Sequence, residues 1–390
     1  MVDGTGAEAA EADITVEDGR LVEIGRGLDG DDEVDLSGKA VLPGLFDCHT
    51  HVMVSTIDPT KIAQTPFSYR WYQAMENLLA TLRIGITTVR DAGGADLGVK
   101  QAVADGLIPG PRLQISLAMI SQTGGHGDPW VASGSDVRLF PRHPGVPETI
   151  VDGTDEMRRK VRELVRMGAD VIKVAVSGGV LSPRDKPTHA HFRQEELDVL
   201  VEEATAAGIW VMAHAQATPG IKNAIRAGIR SIDHGIYLDD EAISMMIDRG
   251  TWLVPTLVAP RGVIDAAEAG AAIAPQSVAK AREVTEIHRD SFSRAVKAGV
   301  KIAMGTDSGV TPHGNNHREL ALMVDGGMTP MEAILATTRS AAELMGLDEE
   351  LGTLEPGKRA DLVVVDGDPL DVATLDQRIS AVYQDGRQVV

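Results

Sequence analysis

The chain is short of cysteine, of basic charge and of long apolar runs, and each shortage narrows what it can be. A single cysteine in 390 residues, Cys48, leaves no internal disulfide to form, so nothing points to an oxidising compartment. No stretch approaches about 18 consecutive apolar residues, so no membrane span is expected. The opening, MVDGTGAEAAEAD, has neither a basic region nor an apolar run. No signal peptide is expected from it, and a cytoplasmic location is the default. Lysine and arginine number 37 against 57 aspartates and glutamates, a formal charge of −20. Such a surface repels phosphate backbones and anionic membranes, which argues against nucleic acid or a membrane as partner. What remains, with 24% charged and 43% hydrophobic residues, is the composition of an ordinary globular enzyme with one large domain and something smaller.

The two ends of the chain resemble each other. Residues 14–24 read ITVEDGRLVEI, two alternating runs around Asp18-Gly19, and residues 379–390 read ISAVYQDGRQVV around Asp385-Gly386. Asp-Gly suits the tight type I′ turn of a hairpin. With ADLVVVDGDP at 360–369 these segments predict a small β-sandwich domain built from both termini, residues 1–44 plus 352–390. Between them, over 45–351, eight short apolar strands alternate with helical stretches: LFDCHTHV, ITTVRDA, RLQISLAMI, VIKVAVSGG, IWVMAHA, SIDHG, WLVPTL and KIAMGTDS. The run EELDVLVEEATAAG at 195–208 is one such helix, closed by Gly208. Eight strand–helix units predict an α/β fold of the (β/α)8 TIM-barrel type. The competing open sheet usually carries a phosphate-binding glycine turn after its first strand, where this chain has histidines.

Polar residues stand where a barrel places its active site, at the C-terminal ends of strands. His49 and His51 lie two apart on the first strand and so share a face. Lys173 is on the fourth strand, His214 on the fifth, His234 on the sixth and Asp307 on the eighth. One strand-end histidine is ordinarily structural; six such residues at five strand ends are a metal-ligand pattern. Lys173 stands in DVIKVAV between apolar neighbours. Burial lowers the pKa of an inward lysine, and the neutral amine can take up carbon dioxide. The resulting carbamate is anionic and can bridge two cations. The alternative is a bare lysine ion-paired to Asp307 in a site without metal.

These residues, with PGLFDCHTHV at 43–52, DVIKVAVSGG at 170–179, MAHA at 212–215, IDHG at 232–235, GTDSG at 305–309 and MTPMEAILATTRSAAELMGL at 328–347, resemble the amidohydrolase superfamily over nearly the whole chain. The resemblance is to its prolidase-like (Xaa-Pro dipeptidase) branch, with related carboxypeptidase-like and ochratoxin-hydrolysing members. It implies that His49 and His51 bind a buried metal with Asp307. His214 and His234 bind a more exposed one, and carboxylated Lys173 and a hydroxide bridge the two. It implies that His126, in TGGHGD, and Tyr237, in DHGIY, contact the substrate carbonyl or its terminal carboxylate. Relatives carry a further strand before the segment at residues 3–6, and this chain is expected to lack it.

The expected activity is hydrolysis of an amide or peptide C–N bond in a small-molecule substrate, a dipeptide or an N-acyl amino acid. Two divalent cations, zinc by ligand type, would supply hydroxide at neutral pH. Asp307 would carry the proton to the leaving nitrogen. A homo-oligomer is the expected assembly. A mononuclear deaminase would need a glutamate three residues after His214, where Ala217 stands. Phosphotriesterase-like enzymes usually lack the terminal β domain, and a catalytically dead scaffold should have lost ligands. Ochratoxin-like amides are an alternative substrate. Cys48 alternates away from the metal face and reads as an inert core thiol. His189 and His191 are assigned to the rim, His313 and His317 to the mouth, and Gly178 and Gly179 to close backbone approach near the metals. Arg184 and Arg261 are candidates to pair with a substrate carboxylate.

Overall fold

The computed structural model describes residues 1–182 and 184–390. Strands are β1 (Asp13–Glu17), β2 (Arg20–Gly25), β3 (Lys39–Pro43), β4 (Leu45–Thr50), β5 (Ile86–Asp91), β6 (Arg112–Ile115) and β7 (Met119–Ile120). There follow β8 (Val171–Ala175), β9 (Trp210–Ala215), β10 (Ser231–His234), β11 (Trp252–Val254), β12 (Leu362–Asp366), β13 (Ile379–Gln384) and β14 (Arg387–Gln388).

Backbone pairing in the middle of the chain is parallel throughout, in the orders β4-β5-β6 and β7-β8-β9-β10-β11. Segment 301–308 joins the two ends: Leu253 N–H donates to the Lys301 carbonyl (2.8 Å), and Cys48 N–H to that of Met304 (2.9 Å). Its bridges to Leu253 and Thr50 are also parallel. The hydrogen bonds thus pass around eight staves, each followed by helix. β4, β5 and β8 are buried along their whole length, and β8, VIKVA, reads as a near-continuous apolar run broken only by Lys173. The helix Gln194–Ala206 ends as predicted, with Gly208 at φ +74°.

Two staves differ from the expected strands. RLQISLAMI is broken, because its first half pairs with β5 and its second with β8; Leu117 makes the change of partner at φ +65°. KIAMGTDS forms only isolated bridges, because its backbone serves two neighbours around the irregular turn at Asp307.

The chain ends form antiparallel sheets. β1 and β2 make a two-stranded ribbon, and β3 joins β12, β13 and β14 in the order β14-β13-β12-β3. Both predicted hairpin turns have the required positive φ, at Asp18 (50°) and Gly19 (80°) and at Asp385 (50°) and Gly386 (70°). Leu21, Val41 and Leu362 bring the two sheets into one apolar cluster. Residues 1–6 form no strand, although Val2 N–H donates to the Val41 carbonyl (2.9 Å). No helix among the described residues is long and apolar enough to cross a membrane.

Candidate active site

His49, His51, Lys173, His214, His234 and Asp307, drawn from five staves, all line one cavity of about 820 Å³ counted to its open mouth. Each imidazole is held by one ring nitrogen and leaves the other for the cavity. Nδ1 of His49 lies 2.7 Å from an Asp233 oxygen, and Nδ1 of His51 is 2.9 Å from the Gly93 carbonyl. Nε2 of His214 is 3.2 Å from the Gly178 carbonyl, and Nδ1 of His234 is 2.7 Å from Thr256 Oγ1. This is the outer hydrogen bonding that fixes metal-binding histidines. The free Nε2 atoms of His49 and His51 lie 3.5 and 3.2 Å from one Asp307 oxygen. His49, His234 and Asp307 place ligand atoms within 4.8 Å of one another. His234, Thr256 and Asp307 all have positive φ, of 75°, 54° and 60°, so the backbone is strained where these side chains are aimed.

The electrostatics suit cation binding. Burial lowers His49 to about 4 and holds His214 and His234 well below the ordinary range, so the rings are neutral donors of a lone pair. Burial also lowers the Lys173 ammonium, against the pull of Asp233 and Asp307. Burial alone would raise Asp307, but His49, His51 and His234 around it hold its carboxyl well below the usual carboxylate range. Three imidazoles held neutral by burial, the His51 ring raised, against its burial, by its contacts to Asp307, a carboxylate and an amine-bearing lysine around one space fit a pair of divalent cations.

His126 lines the cavity with its ring stacked on His214, centroids 4.1 Å apart. A side chain at Gly179 would overlap that ring, which is the reason for glycine there. Nδ1 of His126 is 2.8 Å from Ser182 Oγ and 3.5 Å from Asp185, and Ser182 in turn hydrogen-bonds Asp185. Tyr237 does not line the cavity; it packs against the apolar cluster of Ile57, Val180, Ile236 and Val263 that forms part of its wall. Cys48 is buried between stave and helix with Phe46 and Trp252, its thiol pushed up to about 12 by burial.

Other expected positions move. His191 is buried, because its N–H donates to the Val176 carbonyl (2.8 Å) and draws it in from the rim; His189 is exposed. His313 supports the loop after the first stave, with Nε2 3.2 Å from the carbonyls of His51 and Val54. His317 is buried away from the mouth. Arg184 stacks on Trp130 and Arg261 pairs with Asp265, and neither lines the cavity.

Several buried residues escaped the sequence reading. Asp233 accepts from His49 and Ser231 Oγ (2.8 Å), and lies 3.4 Å from both Arg90 and Lys173. Arg90 also donates from Nε to the Cys48 carbonyl (2.7 Å). Lys280, on the helix Pro275–Ala298, donates to the carbonyls of Gly179, Ser182 and Asp185. The D-H pair in IDHG was the only signal for Asp233.

The amidohydrolase family model matches residues 40–389. An ochratoxinase of Aspergillus niger is 38% identical over 358 residues, which span 88% of this chain and 73% of that protein. A crystal structure of a Xaa-Pro dipeptidase with methionine bound in its active site matches with TM-score 0.90 at 34% identity, covering 99% of this chain and 97% of that one. That of a prolidase complexed with N-methylphosphonate-L-proline matches with TM-score 0.88 at 35% identity, over 98% and 95%. With a match over nearly the whole chain and its strand-end residues gathered in one cavity, the chain belongs to the amidohydrolase family.

Proposed function

We propose that this chain is a binuclear metal-dependent amide hydrolase, a dipeptidase of the prolidase (Xaa-Pro) or carboxypeptidase type. The observation that carries the reading is the convergence of four held imidazoles, buried Lys173 and Asp307 on one cavity. The prolidase and Xaa-Pro dipeptidase neighbours support the substrate class. We read the eight staves as a (β/α)8 barrel over 45–351, and the terminal sheets as a small β-sandwich over 1–44 plus 352–390.

His49, His51 and Asp307 would hold one cation, His214 and His234 the other, and Lys173 would join them as a carbamate. When bound, two divalent cations, zinc by ligand type, supply Lewis acidity and a water acidified to react at neutral pH. Lys173 becomes a ligand when its neutral amine adds to carbon dioxide and releases a proton. The Asp307 carboxylate takes a proton from the attacking water and delivers it to the leaving nitrogen. His126, held from behind by Ser182 and Asp185, presents its other ring nitrogen toward the substrate.

A second reading, a bulkier apolar amide such as an N-acyl amino acid or an ochratoxin-like compound, is favoured by the wall of Ile57, Val180, Leu181, Ile236, Val263 and Val310. No arginine lines the cavity among the described residues.

Protein prepared with zinc and bicarbonate should contain close to two metal equivalents by elemental analysis. One equivalent with an unmodified Lys173 would sink the binuclear reading. A dipeptide library varied at the C-terminal residue, each member as free acid and amide, tests the substrate. Free acids should be cleaved roughly ten- to hundredfold faster through a charge-assisted contact to the carboxylate. Equal rates would favour the second reading.

A further inference from the structure

The cavity wall holds a polar group that the hydrolytic scheme leaves unused. Gln216 stands two residues beyond His214, just past the end of β9. Its side chain lines the same cavity and is only 5% exposed. Its main chain is fully engaged: the N–H donates to Ser177 Oγ (2.7 Å), and the carbonyl accepts from Tyr237 N–H (3.0 Å). The backbone is therefore held between two staves, which fixes where the side chain starts on the cavity wall. The carboxamide oxygen is enclosed and has no hydrogen-bond partner among the described residues. Val180, Leu181 and Ile236 in the same wall have apolar side chains and offer it no donor. An enclosed acceptor without a donor is unfavourable, and a donor brought in by a ligand relieves it.

We propose that Gln216 Oε1 accepts a hydrogen bond from the α-ammonium group on the acyl side of the substrate, making Gln216 a specificity-determining residue for dipeptides with a free N-terminus. The inference rests on the amide-hydrolase reading and deepens it. Residues two apart along a strand are about 7 Å apart, so Gln216 lies one pleat beyond ligand His214. The nitrogen α to the scissile carbonyl is two bonds from the carbon under attack and falls within that reach. In an Xaa-Pro dipeptide with an apolar side chain the scissile nitrogen bears no hydrogen, and the α-ammonium is the only N–H group available. N-acyl amino acids lack it, so the contact separates the two substrate classes.

The test compares leucyl-proline with 4-methylpentanoyl-proline, which has the same shape without the amine. Metal-loaded wild-type enzyme should favour leucyl-proline by roughly ten- to hundredfold in kcat/KM. Gln216→Leu should bring that ratio toward one, and Gln216→Glu, which keeps an acceptor, should preserve or enlarge it. Thermal-shift binding of leucine against 4-methylpentanoate reads the same contact without turnover, with the same expected loss in Gln216→Leu. A wild-type ratio near one, or a loss in Gln216→Leu that falls equally on both substrates, would overturn the proposal while the hydrolase reading stands. Amine-selective binding that depends on Gln216, in a protein that cleaves neither substrate, would support the contact and remove the dipeptidase reading. No amine selectivity in either assay and no cleavage would remove both.

Discussion

Asp233 and Asp307 at the catalytic end, and Asp47 and Glu319 beside it, are four enclosed carboxylates with opposite electrostatic fates. Asp307 is held far down by the imidazoles around it; Asp233 is held down, against its burial, by Lys173, Arg90 and His49. Asp47 is pushed up to about 6 and Glu319 to about 8, in both cases by burial. Their partners are neutral. Asp47 accepts from Thr306 Oγ1 (2.6 Å) and Asn316 Nδ2 (2.8 Å), and Glu319 from the N–H groups of Leu257 (2.7 Å) and Val258 (2.8 Å). Burial is common to all four, so the difference lies in the ionisable neighbours. One pair carries charge; the other ties staves together, Asp47 the first to the eighth and Glu319 the loop after the seventh.

The comparison breaks most sharply at Asp307. Asp307→Asn should lower kcat by about a hundredfold or more while the circular dichroism spectrum stays unchanged. A variant keeping more than about a tenth of the rate would mean that another residue moves the proton. Asp233→Asn comes next. It weakens the hold on His49, and metal affinity measured by chelator competition should fall about ten- to hundredfold. An unchanged affinity would show that the ring is oriented without it.

On the other side, Glu319→Ala removes the partner of two buried N–H groups. It should cost roughly 2–4 kcal/mol in chemical denaturation and reduce turnover less than Asp307→Asn does. The smallest effect is on pH dependence. Both groups have folded pKa values raised above their ordinary ones, Asp47 from 3.8 to about 6 and Glu319 from 4.5 to about 8. Between those limits the folded state binds the extra proton, so stability falls as pH rises, over 3.8–6 for Asp47 and 4.5–8 for Glu319. Glu319→Gln should flatten the upper part of that decline. An identical slope in the variant would mean that Glu319 is ionised throughout.

The sequence revealed what obeys local rules. Asp18-Gly19 and Asp385-Gly386 announce hairpins because their turn geometry is set by two residues. The strand-end histidines are visible because a strand end repeats at a regular interval. Arg90, Glu319 and Gln216 were invisible for the opposite reason: each matters through what faces it across the ring, and no interval in the chain encodes that. RLQISLAMI was misread as one continuous strand for a related cause, since a stave that changes partner halfway has the same apolar pattern as one that does not. Lys173 was legible because a lysine in an apolar run is a local conflict, and such conflicts gather at functional sites.

The pairing of β3 with β12, with Val41 opposite Val364, also sets an order of events during synthesis. The strand at residues 39–43 emerges from the ribosome some three hundred residues before its partner at 362–366. The last of the eight staves between them ends at residue 308, so all eight are made while β3 still lacks β12 as a partner. Closure of the small sheet is therefore the last long-range step, and its loop-closure cost falls to the extent that the barrel has already brought Gly44 and Asp361 within one hydrogen bond of each other. Until then the edge of β3 that β12 takes is open to pairing with another copy of the chain, and the growing C-terminal segment closes that edge.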